Sequence, residues 1–91
     1  MVAVVFEAKL TREQGTKLAE LMQEGRATRP AGVVTAMLLV DGDLTRLVAV
    51  WKDRDTLDRY LSVTPIPRGT ELMRKVGAEP TVRTVAVMEL G

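Results

Sequence analysis

The chain has 91 residues, a net charge of +1, no cysteine and no histidine. Disulfides, thiolate catalysis and iron–sulfur clusters are excluded, and the commonest metal and haem ligand is missing, so neither a metal nor a cofactor is expected. The near-neutral charge gives no electrostatic case for nucleic acid or for an anionic membrane surface.

Hydrophobic residues make up 46% of the sequence but aromatics only 3%. The core must therefore come from Val, Leu, Ala and Met, and stacked bases would find few aromatic platforms. The length fits one domain, residues 1–91, with no repeat, linker or low-complexity stretch. The apolar run Val2 to Phe6 is broken by Glu7 and Lys9, with no basic segment before it and no small-residue cleavage site after it, so a signal peptide is rejected. No stretch approaches the roughly 18 apolar residues that a membrane span needs. A soluble cytoplasmic protein is the expectation.

In chain order, Val2 to Leu10 is β-branched and apolar and reads as a strand. Thr11-Arg12-Glu13-Gln14 fits a capping box, and a helix follows to about Ala27 with Leu18, Leu21, Met22 and Gly25 on one side. Arg29-Pro30-Ala31-Gly32 redirects the chain into a second strand, Val33 to Val40. Asp41-Gly42 signals a two-residue type I′ turn, with Leu44 to Trp51 as the antiparallel partner. Asp53 can cap a second helix, Arg54 to about Ser62. The two prolines of Val63 to Gly69 make that stretch a loop, either a lid or a static wall. A short helix, Thr70 to Val76, stops at Gly77, and Pro80 bounds a last strand, Thr81 to Leu90. The result is an α+β domain of order βαββαβ.

Both faces of these strands are apolar. The first strand offers Val2, Val4 and Phe6 against Ala3 and Val5. The second sets Val33, Met37 and Leu39 against Val34, Ala36, Leu38 and Val40. The third sets Leu44, Val48 and Val50 against Leu47, Ala49 and Trp51. The helices suffice for one face only, and the simplest cover for the other is a second copy of the same sheet, a homodimer.

The segment Val48-Ala49-Val50-Trp51-Lys52-Asp53-Arg54-Asp55-Thr56-Leu57-Asp58-Arg59-Tyr60-Leu61 resembles the strand–Trp–helix signature of the antibiotic biosynthesis monooxygenase family. Pro30-Ala31-Gly32-Val33 is similar to that family's Pro-Gly lead-in to its second strand, with an alanine inserted. The resemblance implies a ferredoxin-like fold, an antiparallel four-stranded sheet with helices on one face, assembled as a dimeric α/β barrel. It also implies a pocket between sheet and helices in each protomer, with Trp51 as a wall. Some relatives oxidise polyketide aromatics with dioxygen and no cofactor, others degrade haem, and others have no established activity. Haem degradation there needs a histidine after the Trp and an asparagine on the sheet. This chain has neither residue, which speaks against that chemistry.

Cofactor-free oxidation needs a dry pocket, a group that stabilises a substrate anion, and a base. The candidates are Arg46 and Thr35 on the strands, Tyr60 on the second helix, Arg68 in the proline loop, and Glu7 as a carboxylate. Trp51 suits core packing and ligand contact equally, since an indole has an apolar body and one polar edge. Tyr60 also fits the core boundary, and Met22, Met37, Met73 and Met88 fit as core fillers. No nucleophile stands beside a base, so no catalytic residue is assigned. Three functions stay open: a small dimeric monooxygenase-like protein that binds an apolar aromatic or polyketide-like molecule, with oxidation as the reaction the resemblance implies; a non-catalytic ligand-binding or sensor dimer of the same fold; and a purely structural dimerisation domain whose pocket its own side chains fill.

Overall fold

Apolar residues at every second position over Val2–Lys9 form strand β1, which stops where Thr11 caps helix α1, Arg12–Glu24. The computed structural model describes residues 1–90. The capping box is complete: the Gln14 N–H donates to Thr11 Oγ1 at 3.2 Å, and the Thr11 N–H donates to Gln14 Oε1 at 2.8 Å. These satisfy two of the donors that every helix start leaves orphaned. A 3-10 turn, Arg26–Thr28, follows, then strands β2 (Val33–Asp41) and β3 (Leu44–Trp51). Asp53 caps α2, Arg54–Val63, by accepting the Thr56 N–H at 2.7 Å. Helix α3, Arg68–Lys75, and strand β4, Thr81–Ala86, complete the chain.

The four strands form one antiparallel sheet in the order β2-β3-β1-β4. Alternation places Val4, Phe6, Leu47 and Trp51 on a single face, and all four are buried. Leu18, Leu57 and Met73 from the three helices come down on that face and are 0%, 1% and 0% exposed. Helix α3 ends in a Schellman motif, with Gly77 at φ +85. The Ala78 N–H bonds to Met73 O and the Gly77 N–H to Arg74 O, both at 3.0 Å.

The structure departs from the sequence-based expectation at five places, each set by pairing or tertiary contact. The first helix stops at Glu24, and the chain tightens into the 3-10 turn before Pro30. A bulge in β2 sets Val33 opposite Trp51 but Thr35 opposite Val50, so Val34 is the extra residue. Val33 thereby joins Ala36 and Leu38 on the helix face instead of Met37 and Leu39. The turn after β2 is Gly42-Asp43, because Asp41 pairs with Leu44. Only Gly42 has positive φ (61), the sign pattern of type II′ rather than type I′. Helix α3 begins at Arg68 rather than Thr70, because Tyr60 supplies a cap that the local sequence lacks. Strand β4 stops at Ala86 rather than Leu90, since β1 begins at Val2, opposite Ala86.

Two glycines test this packing in opposite directions. Gly15, inside α1, has nothing within 4 Å of where a Cβ would stand, whereas a Cβ on Gly69 would press into the buried Phe6 ring. Gly15→Ala should stabilise the protein by about 0.5–1 kcal/mol, the ordinary helix gain. Gly69→Ala should lose about 1–3 kcal/mol to overpacking, which outweighs the same gain. Urea unfolding of both variants reads the difference, and a Gly69→Ala protein as stable as the parent would show that α3 does not rest on Phe6.

Candidate functional site

Between the helix face of the sheet and the helices lies a cavity of about 440 Å³. Val4, Phe6, Leu38, Leu47 and Ala49 come from the sheet, and Ala19, Met22, Leu57 and Leu72 from the helices. Its wall is apolar and partly aromatic, the usual character of a small-molecule site.

Trp51 ends β3 and is 4% exposed. The chain leading into β2 lies against it: Gly32 O accepts the Lys52 N–H at 3.0 Å, and a Cβ on Gly32 would come within 2.8 Å of Trp51 Cε3. A side chain at that position would push the indole out of place, which gives a steric reason for the glycine that follows Pro30-Ala31. On its other flank Trp51 meets Tyr60, with ring centroids 4.9 Å apart and planes inclined by 41°. This tilted arrangement is favoured by the ring quadrupoles. Both rings border the cavity.

The Tyr60 hydroxyl accepts the Arg68 N–H at 3.0 Å. Pro67, at the N-cap of α3, has no side chain able to cap, so a phenol from α2 takes that role. Its own proton remains available to donate. The Arg68 guanidinium reaches the C-terminal end of α1 and the 3-10 turn, donating to the carbonyls of Gly25 and Thr28 and to Thr28 Oγ1 at 3.2 Å. A cation there satisfies carbonyls that helix ends leave unpaired and meets the negative end of the helix dipole. Arg68 therefore ties α3 to α1 across one end of the cavity.

Of the residues singled out from the sequence, Trp51, Tyr60 and Arg68 line this cavity together; Thr35 borders it as well, although its pairing with Val50 puts it in register with the other face of the sheet. Arg46 does not. It stands directly opposite Glu7 in the β1–β3 ladder, on the face turned away from the helices, and its Nε lies 2.7 Å from Glu7 Oε2. Glu7 is thereby removed from the cavity as well. Sequence reasoning missed Gln23, Arg26 and Arg29, which also line it. Their three-residue spacing at the end of α1 was the available signal. Among the described residues no group of three His, Cys, Asp or Glu side chains could hold a metal ion.

No protein-family model and no curated protein matches the chain. Solved structures do. A Streptomyces coelicolor monooxygenase in complex with the ligand nanaomycin D superimposes with a TM-score of 0.70 at 16% identity, covering 97% of this chain and 88% of that one. A Deinococcus radiodurans protein described as an antibiotic biosynthesis monooxygenase gives 0.64 at 11% identity, covering 98% and 94%. A Chloroflexus aurantiacus protein of the same description gives 0.62 at 19% identity, covering 99% and 96%. At such identities the likeness speaks for architecture. The chain has the ferredoxin-like α+β fold of the antibiotic biosynthesis monooxygenases.

Proposed function

We propose that this protein binds an apolar aromatic or polyketide-like small molecule in the cavity and works as a homodimer. The observation that carries the first part is the 440 Å³ hollow walled by Phe6, Trp51 and Tyr60. All three of the chain's aromatics converge on one space, where a flat ring system would meet apolar walls on both sides. The nanaomycin D bound by the Streptomyces protein supports the same ligand class.

Oxidation of that ligand by dioxygen is the reaction the fold suggests, and it needs no cofactor. An electron-rich anion passes one electron to dioxygen, and the substrate radical and superoxide recombine as a peroxide. For an anthrone, collapse of the peroxide gives a new carbonyl and one water, with dioxygen supplying both oxygens. The protein would hold the ring, stabilise the anion and exclude bulk water. A second reading, a binding or sensor dimer without turnover, is favoured by one specific feature. No carboxylate or lysine is found among the described residues that line the cavity, so no obvious base is at hand.

The homodimer rests on the other face of the sheet. Ala3, Val5, Val48 and Val50 share it with Met37, Leu39 and Val85, of which the last three are 39%, 48% and 42% exposed. The Glu7–Arg46 pair there is mutually neutralised, and Arg83 sits on edge strand β4 at the margin. Such a face fits against its own copy, as sheets pack in sandwiches. No helix is long and apolar enough to cross a membrane.

Two outcomes are expected. Sedimentation should give twice the chain's mass, and Val48→Asp, which sets a charge in the middle of the apolar face, should give the monomer; a parent protein that sediments as a monomer removes the dimer. Oxygen uptake with phenols, hydroquinones and anthrones should exceed the rate without protein, while binding is followed in the same cuvette by Trp51 fluorescence. Trp51→Phe, which removes the only tryptophan and is therefore titrated by calorimetry, should weaken binding by about 3–10-fold, the worth of an aromatic contact. Quenching without uptake would select the sensor reading, and silence in both would dismiss the pocket.

A further inference from the structure

We infer that the cavity selects an anionic ligand: an aromatic ring system bearing a carboxylate or another oxygen ionised at neutral pH, held at its charged end by Arg26 and Arg29. This rests on the proposal that the cavity binds a small aromatic molecule, and it adds the charge.

The inference comes from how charge is distributed around the cavity. Arg26, Arg29 and Arg68 all line it, and no carboxylate does. Arg68 is committed to Gly25 and Thr28. Arg26 and Arg29 are different: neither forms an ion pair, and neither guanidinium forms a hydrogen bond among the described residues. The acids nearby lie elsewhere. Glu24 and Glu71 border an adjoining groove that shares Pro30, Tyr60, Arg68 and Leu72 with the cavity, and Glu71 is 3.6 Å from Lys75 there.

Two guanidinium groups that stay charged therefore stand at an apolar hollow whose lining contains nothing to neutralise them. Their location adds to the argument. Arg26 opens the 3-10 turn and Arg29 follows it, so the backbone that carries them is clamped by Arg68 through Gly25 and Thr28. The cationic end is thus held in register with the aromatic end, where Trp51 and Tyr60 would receive the ring. Gln23, one turn earlier on the same side, adds an amide able to donate to the same oxygen. A guanidinium matches a carboxylate through two parallel bonds, and the low polarity of the adjoining wall strengthens the attraction.

The test compares two probes of nearly the same shape, anthraquinone-2-carboxylate and the uncharged anthraquinone-2-carboxamide, titrated by calorimetry. The full-length protein should bind the acid about tenfold tighter than the amide, the scale of one charged hydrogen bond. Arg26→Gln combined with Arg29→Gln should remove that preference, and added salt should reduce it in the parent protein. Equal affinity for acid and amide in the parent would overturn the anion selectivity while leaving the cavity as a neutral aromatic site. An acid preference that survives both substitutions would also overturn it, since the charge would then be read elsewhere. If neither probe binds, the pocket reading falls and this inference falls with it.

Discussion

An apolar hollow inside so small a domain is costly, and the arrangement around it follows from that cost. The hollow opens to solvent, yet its apolar wall still favours closure, because apolar surface taken from water is worth about 25 cal/mol per Å². Collapse of the helices onto the sheet would gain that energy, so something has to keep them apart. The Tyr60–Arg68 clasp does this by polar means. One phenol caps α3, and one guanidinium gathers the loose carbonyls at the end of α1. Moving α1 inward would break those hydrogen bonds, each worth about 1 kcal/mol at this partly exposed rim. Polar satisfaction at the rim thus opposes hydrophobic collapse at the centre.

The glycines beside the aromatic walls complete this scheme. Phe6 and Trp51 are fixed because backbone passes directly over them, at Gly69 and at Gly32. A bulky side chain at either place would drive the ring into the cavity. The dense packing therefore sits behind the rings, and the open space in front of them. This division explains how a chain with three aromatics, all lining one cavity, can hold both a core and a site.

Much of the fold was legible because its signals are local. The Thr11–Gln14 box, the Asp53 cap, the Gly77 terminator and the limits of β3 each depend on a few neighbouring residues, and the structure reproduces them. What was not legible depends on partners distant in sequence. The Val34 bulge appears only once β2 is registered against β3, and α3 starts early only because Tyr60 lies across from it. The site divides in the same way. Trp51 was visible from its strand–helix context, and Tyr60 and Arg68 from their composition. Arg46 was chosen for interrupting an apolar strand, yet alternation alone could not say which face would hold the cavity, and its partner Glu7 lies 39 positions away. Arg26 and Arg29 were not legible because the 3-10 turn that carries them toward the cavity depends on Arg68, some 40 positions away.

The charge on the cavity wall has a consequence for chemistry if the bound ligand is oxidised. A neutral phenol entering a space without a base would have to lose its proton to solvent before it could reduce dioxygen. A ligand whose ionised oxygen is conjugated with the oxidisable carbon would arrive as the electron-rich anion, and two arginines would stabilise it without any proton transfer by the protein. A carboxylate held by the same arginines would orient the ring but would leave the loss of the phenolic proton still to be accomplished. The same arginines would slow electron transfer if they held the anion too tightly, because they lower the energy of the reactant as well as that of the transition state. A protein built for turnover should therefore place them against one end of the ligand and leave the oxidisable carbon over the aromatic wall.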